Sequence, residues 1–93
     1  MRIIQSRIFE QKVKKLSSSD KTELDNAVRE VIARPDIGEQ KKGDLRTVLV
    51  YKFRIQIILY LMAYRYNTDT LELLMLGTHE NYYKELKNYL KNR

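Results

Sequence analysis

The spacing of apolar residues changes from helical to alternating along this chain. In residues 9–16, and again in residues 24–32, apolar side chains recur three or four positions apart, which predicts two amphipathic helices. The polar segment 17–20 separates them, and Pro35 ends the second because proline does not continue a helix. Two such helices with a short link are expected to form an antiparallel hairpin that lies on a flat surface.

Strands are predicted on both sides of this hairpin. Residues 1–5 contain the β-branched Ile3 and Ile4 and could form a first strand at a sheet edge. After a loop at residues 36–43, side chains alternate in character, which predicts a strand with two different faces. One face is apolar and belongs to the core: Leu49, Tyr51, Phe53 and Ile55. The other face is half apolar and half cationic: Arg46, Val48, Val50, Lys52 and Arg54.

The remainder of the chain predicts two more strands and a last helix. Residues 56–66 are apolar with almost no alternation, which fits a central strand covered on both faces. Residues 67–70 form a good hairpin turn, since Asn and Asp tolerate turn geometry. The strand at residues 71–76 is expected to break at Gly77, and helical spacing resumes from Glu80 onward.

These elements follow the order strand, helix, helix, strand, strand, strand, helix. The short connections predict that the last three strands form an antiparallel meander. The fold class is therefore α+β, with a helical hairpin packed on one face of a small antiparallel sheet, in a single domain spanning residues 1–93. The other face of the sheet is expected to carry Arg46, Lys52, Arg54 and His79.

Composition limits the chemistry that this domain can perform. The 93 residues include 18 Lys and Arg against 12 Asp and Glu, a net charge of +6 that favours nucleic acid or an acidic protein as partner. The chain has no cysteine and one histidine, so disulfides and thiolate zinc sites are excluded and no cofactor is expected. The longest apolar run, residues 57–64, is far too short for a membrane helix, and we expect a cytoplasmic protein without a membrane partner.

The candidate chemistry centres on His79, the only histidine, which follows the last predicted strand. Histidine ordinarily changes charge near neutral pH, so His79 could donate or accept a proton. The alternative is that it only caps the final helix. Lys52 and Arg54 give this accessible sheet face a cationic end, which could simply be a solvated basic edge. Tyr83 could stack on an unpaired base.

Several segments in this order resemble the RelE/ParE superfamily of bacterial type II toxin–antitoxin toxins. The resemblance covers nearly the whole chain, including the first strand, the helical hairpin closed by a proline, and a G-x-L-R-like entry at residues 43–46. V-Y-K-F-R at residues 50–54 resembles the basic strand of RelE-type toxins. L-G-T-H-E-N-Y-Y-K-E-L at residues 76–86 is similar to the closing segment of the YafQ and HigB kind.

The resemblance implies a toxin that a cognate antitoxin neutralises. RelE-type members cleave messenger RNA on the ribosome without a metal, the 2′-hydroxyl attacking the adjacent phosphate. By this resemblance, His79 would transfer a proton, Lys52 and Arg54 would hold the scissile phosphate, and Tyr83 would stack on a base. Additional RNA contacts are expected from basic residues outside this set: Arg46, Lys41, Lys42 and Arg65.

Alternatives remain for the target and for some of these residues. ParE-type members of the superfamily inhibit DNA gyrase without an established catalytic set, and a degenerate toxin would retain only antitoxin binding. Ile57 and Ile58 stand where RelE-type enzymes often carry an arginine. Lys41 and Lys42 could simply be exposed, and Arg65 could reach the site or pair with an acidic residue across the turn, Asp69 or Glu72.

Overall fold

A computed structural model describes residues 1–45 and 47–92. In this part of the chain, three α-helices pack on a five-stranded mixed sheet. The strands are β1 (Arg2–Gln5), β2 (Glu39–Gln40), β3 (Leu49–Ile55), β4 (Ile58–Tyr66) and β5 (Thr70–Thr78). The helices are α1 (Arg7–Lys14), α2 (Ser18–Ala33) and α3 (Tyr82–Lys91). This element order confirms the α+β class and adds the two-residue strand β2, which the sequence did not indicate.

The sheet has the order β1-β5-β4-β3-β2. Strands β3, β4 and β5 form the expected antiparallel meander, whereas β1 lies parallel to β5 at one edge. The predicted edge position of β1 and the central position of β4 are confirmed. Residues 61–64 of β4 are buried on both faces, which explains why apolar residues follow one another there without alternation.

The two faces of the sheet are covered by different helices. Phe9 of α1 and Leu24 and Val31 of α2 pack with the apolar face of the meander, including Met62 and Tyr64. On the opposite face, α3 contributes its buried apolar side chains to a second cluster. The buried members of that cluster are Leu45, Val48, Val50, Leu61, Ala63, Leu74, Met75, Tyr82 and Leu86.

A bulge in β5 accepts hydrogen bonds from the beginnings of α1 and α3, the helices on the two faces of the sheet. The register shifts between Ala63 and Tyr64 of β4, so Leu74 has no residue directly opposite it. Its carbonyl oxygen accepts a hydrogen bond of 2.6 Å from the Ser6 hydroxyl, which also caps the N-terminus of α1. The next carbonyl, that of Met75, accepts 2.7 Å from Tyr82 Oη at the start of α3. The carbonyl oxygens of two consecutive residues at the bulge thus anchor two helices.

The end of β5 and the β3–β4 turn differ from the expectation. The strand does not break at Gly77 but continues to Thr78. A glycine fits there because the ring of Tyr82 packs against it, leaving little space for a side chain. The β3–β4 turn is formed by Gln56 and Ile57, with Gln56 in the left-handed region at φ 57°.

None of the helices in the described residues is long and apolar enough to cross a membrane.

Candidate functional site

The face of the sheet that α3 covers remains open toward the β3–β4 turn. Lys52 pairs with Leu61, which in turn pairs with Gly77, so these three residues form one row across β3, β4 and β5. Lys52 and Arg54 are exposed, as the alternation predicted. Two strand spacings separate the backbones of Lys52 and Gly77, about 10 Å, and His79 follows two residues later along the chain. The basic strand and the histidine therefore lie at the same end of the sheet.

His79 contacts Tyr83 across the start of α3. Their ring centroids are 6.1 Å apart, and the ring planes are nearly perpendicular at 83°. Between the two residues, Asn81 adopts a left-handed conformation at φ 59°, which turns the chain from the strand into the helix. Tyr82 is buried in the core beneath α3, and its ring contacts that of Tyr83, which limits the positions open to the Tyr83 ring.

Lys41 also contacts the ring of Tyr83. Its Nζ lies 4.9 Å from the centroid of the Tyr83 ring, within the range of a cation–π interaction. The same Nζ donates a hydrogen bond of 2.7 Å to Oε1 of Glu39. The Lys41 side chain is only 16% exposed, whereas that of Glu39 is 62% exposed. Lys41 lies in the loop directly after strand β2, as expected, but its side chain packs onto α3, so the alternative of simple solvent exposure is not supported.

The charges around Glu39 stabilise its ionised form. The hydrogen bond from Lys41 and the positive charges of Lys41 and Lys52 lower the pKa of the Glu39 carboxyl. The hydrogen bond to Glu39 in turn raises the pKa of Lys41, although partial burial opposes this effect. Both shifts favour the charged forms, so the Glu39 carboxylate and the Lys41 ammonium group form an ion pair at neutral pH.

Arg54 and Lys42 are exposed and contribute positive charge at the edge of the candidate site. The Arg54 guanidinium donates 3.1 Å to the carbonyl oxygen of Ile57, so it bends toward the β3–β4 turn. Lys42 is exposed, in keeping with the alternative of simple solvation. Arg46 lies outside the described residues.

The structure does not bring Arg65 to the other predicted residues. Its guanidinium pairs with the Glu72 carboxylate at 3.3 Å, one of the two acidic partners considered for it. Arg65 and Glu72 are opposite each other near the far end of β4 and β5, six residues along β5 from Thr78. Six residues of strand span about 20 Å, so the expectation that Arg65 contributes to a site at His79 is not supported.

Sequence reasoning missed Glu39 as a member of the site. Glu39 and Lys41 are two positions apart, so they share a face once the segment is extended. The spacing was not interpreted as a shared strand face because a segment with glycines at positions 38 and 43 is typical of a loop. Pairing with β3 is what makes the segment a strand.

A groove of about 390 Å³ lies elsewhere, between α1 and α3. It is lined by Ile8, Lys12, Met75, Glu85, Asn88, Tyr89 and Asn92. None of the predicted site residues lines this groove, so the groove and the candidate chemistry are separate features.

The fold is similar to those of several solved structures. The chain is similar to a double arginine-to-alanine variant of E. coli toxin RelE in the free state, with a TM-score of 0.72, 17% identity and coverage of 98% of this chain and 95% of that one. It also resembles a chain of the intact E. coli RelBE toxin–antitoxin complex, with a TM-score of 0.66, 18% identity and coverage of 85% and 96%. A third similar structure is the YoeB/ParE toxin from Agrobacterium tumefaciens, with a TM-score of 0.67, 17% identity and coverage of 85% and 99%.

At these identities, the structural likeness concerns the fold alone. No curated protein sequence matches the chain. A family model does match it: the model for the ParE-like toxin of type II bacterial toxin–antitoxin systems aligns with residues 3–87, most of the chain. The resemblance identified from the sequence is thereby confirmed, and the chain belongs to the ParE-like toxins of type II bacterial toxin–antitoxin systems.

Proposed function

We propose that this toxin is a ribosome-dependent, metal-independent endoribonuclease that cleaves messenger RNA and so inhibits translation. The observation that carries the proposal is the contact of His79 with Tyr83, whose ring also holds Lys41 on the face that displays Lys52. This arrangement combines a group suited to proton transfer with fixed positive charge. Those are the components that cleavage by an internal 2′-hydroxyl needs.

The proposed reaction breaks one phosphodiester bond. The 2′-oxygen of the substrate forms a bond to the adjacent phosphorus, the bond from phosphorus to the 5′-oxygen breaks, and the products carry a 2′,3′-cyclic phosphate and a 5′-hydroxyl. His79 would move a proton at the 2′-oxygen or at the leaving 5′-oxygen. Lys52 and Arg54 would balance the charge that develops on the phosphoryl oxygens. Tyr83 would orient the His79 ring, and its exposed part would contact a base.

The proposed regulatory partner is a cognate antitoxin. One similar chain belongs to the intact E. coli RelBE toxin–antitoxin complex. The net charge of +6 on this toxin supports an antitoxin with an acidic segment, because opposite charges favour association and steer it. Such a segment lying on the basic face would block access to Lys52 and Arg54.

A second candidate function is inhibition of DNA gyrase without catalysis. It is supported by the β3–β4 turn, where Ile57 is 87% exposed and Ile58 is 50% exposed. Apolar side chains stand there in place of the arginine that the RelE-type resemblance implies. A degenerate toxin that only binds its antitoxin would share this feature.

A cleavage assay separates these functions. Ribosomes programmed with a defined message would be incubated with the toxin, and new 5′ ends mapped by primer extension. We expect codon-phased cleavage that falls about 100-fold or more in His79→Ala, the range associated with loss of a proton-transferring side chain. Lys52→Ala should also reduce cleavage, whereas Lys21→Ala, an exposed α2 variant with the same change in charge, should not.

The contrary results are equally specific. Absence of new 5′ ends with the wild-type protein would reject the endonuclease proposal, and gyrase-linked double-strand breaks in DNA would favour the second function. Full cleavage by His79→Ala would preserve the activity but reject the role assigned to His79.

A further inference from the structure

The pairing of β2 with β3 brings an acidic side chain into the basic cluster. Glu39 lies opposite Val50, and the Lys41 N–H donates to the carbonyl oxygen of Val48 at 3.3 Å. Glu39 and Lys41 therefore lie on the same face of the sheet as Val50, the face that α3 covers. Lys52, two positions beyond Val50, shares this face and is the diagonal neighbour of Glu39, at a typical separation of roughly 7–8 Å between backbones.

Two positive groups thus surround one carboxylate. Lys41 contacts Glu39 directly at 2.7 Å, and Lys52 lies close enough for its charge to lower the pKa of the same carboxyl. The Glu39 side chain is mostly exposed, which leaves it free to move away. Lys41 is mostly buried, and the ring of Tyr83 would hold it in place even without its acidic partner.

We propose that Lys41 and Lys52 form a phosphate-binding site for a phosphodiester of single-stranded RNA, and that the Glu39 carboxylate occupies this site in the free toxin. A carboxylate and a phosphodiester present similar anionic oxygens to an ammonium group. Binding of the RNA backbone would displace Glu39 toward solvent and give Lys41 a new partner. Glu39 therefore acts as an internal competitor that weakens the toxin's hold on RNA without direct involvement in the reaction.

This inference rests on the proposed RNA-directed function and adds a phosphate contact that regulates it. It also distinguishes Lys41 from Lys42, the adjacent lysine of the same charge. Lys42 is exposed and would contribute only diffuse attraction. The ring of Tyr83 already restricts the Lys41 side chain, so Lys41 would lose little conformational entropy on binding a phosphate.

The test measures binding without cleavage. A short single-stranded oligoribonucleotide, 2′-O-methylated throughout so that no internal nucleophile remains, would be titrated with the toxin at several KCl concentrations and followed by fluorescence anisotropy. We expect Glu39→Gln to bind about threefold to fivefold more tightly than wild type, since an exposed ion pair restrains its partners only weakly. The slope of log affinity against log salt should steepen by about 0.7, the value for one additional phosphate contact on a single strand.

Matched variants separate this effect from a general change in charge. Glu30→Gln removes one negative charge from an exposed position on α2 and should gain less affinity than Glu39→Gln, with no change in the salt slope. Adding Lys41→Gln to Glu39→Gln should abolish the gain, whereas adding Lys42→Gln should leave most of it. Circular dichroism spectra would verify that each variant is folded.

Equal gains in Glu39→Gln and Glu30→Gln, or a gain that survives Lys41→Gln, would overturn the proposed site. So would failure of the wild-type toxin and Glu39→Gln alike to bind the oligonucleotide. Because no step of this experiment involves a ribosome or a cleavage event, its failure is distinguishable from failure of the endonuclease proposal. Tighter binding by Glu39→Gln, together with an absence of ribosomal cleavage, would support the phosphate site and reject the enzyme.

Discussion

Gly38 lies directly against the hydroxyl of Tyr64. Its N–H donates a hydrogen bond of 2.8 Å to Tyr64 Oη, and a Cβ atom at Gly38 would come within 2.6 Å of the same oxygen. Tyr64 Oη also donates 2.6 Å to the carbonyl oxygen of Pro35. One buried side chain of the central strand therefore fixes the segment between α2 and β2, and with it the position from which Glu39 and Lys41 reach the candidate site.

Gly38→Ala is expected to destabilise the protein through steric overlap. The backbone at Gly38 has φ −70° and ψ 160°, which alanine adopts readily, so conformational strain is not the cause. The added Cβ would instead force Tyr64 or the segment to move, and overpacking of this kind costs about 1–3 kcal/mol. Urea denaturation monitored by circular dichroism would measure the loss. An unchanged midpoint would show that the segment moves aside without cost.

Tyr64→Phe should reduce the free energy of unfolding by about 1–3 kcal/mol. The substitution keeps the ring but leaves the Pro35 carbonyl and the Gly38 N–H without their hydrogen-bond partner, which is costly in a partly buried site. Urea denaturation provides the measurement here too. Tyr66→Phe is the control, because Tyr66 is 43% exposed and its change should stay within about 0.5 kcal/mol.

Tyr83→Phe should have the opposite effect. The Tyr83 hydroxyl is buried and makes no hydrogen bond of good geometry within the described residues, although it lies near the Lys41 ammonium group and helps to raise the pKa of Lys41. Removing a buried hydroxyl without a partner is expected to leave stability unchanged or raise it by up to about 1 kcal/mol. The ring that contacts His79 and Lys41 is retained. A clear loss of stability would mean that the hydroxyl bonds to Lys41 Nζ in solution.

Ser6→Ala should lower the free energy of unfolding by about 1–2 kcal/mol, because the Ser6 hydroxyl forms two hydrogen bonds. Ser6 Oγ accepts from the Phe9 N–H as the cap of α1 and donates to the Leu74 carbonyl at the bulge. Thermal and urea unfolding of Ser6→Ala and of Ser18→Ala, at an exposed position in the first turn of α2, would provide the comparison. Equal midpoints for the two variants would contradict the anchoring role of Ser6.

Stability should decline at alkaline pH. Burial raises the pKa of Tyr82 above its ordinary value, so the folded protein retains a proton that the unfolded chain releases above roughly pH 10. The associated stability is fully present below that pH and is lost as the pH rises toward the folded-state pKa, by up to about 1.4 kcal/mol per pH unit. Urea titrations between about pH 9 and pH 11.5 would measure the decline.

Tyr82→Phe removes the ionisable group and should flatten this alkaline decline. At neutral pH the same variant should be less stable than wild type, since the Met75 carbonyl loses its hydrogen-bond donor. An equally steep alkaline decline in Tyr82→Phe would assign the effect to another group, with Tyr64 the next to be considered because burial also raises its pKa.

Apolar periodicity was sufficient to predict the three helices and strands β3, β4 and β5, but not strand β2 or the face of the sheet that α3 covers. The helical spacing in α1 and α2, the alternation in β3 and the continuous apolar run in β4 each reflect how many sides of an element are buried. The alternation in β3 also placed Lys52 and Arg54 on an exposed face. These features are local, because burial of each residue follows from its own position along one strand or helix.

Only the tertiary structure determines which groups the polar side chains contact. Strand β2 exists because β3 supplies its hydrogen bonds, and this pairing is what directs Lys41 onto Tyr83 and sets Glu39 beside it. Arg65 pairs with Glu72 because the register of β4 and β5 sets them opposite each other, about 20 Å along the strand from the end that precedes His79. The sequence alone determined which residues are basic and which face they share, whereas strand pairing and the packing of α3 determined which of them meet, because those contacts join segments distant along the chain.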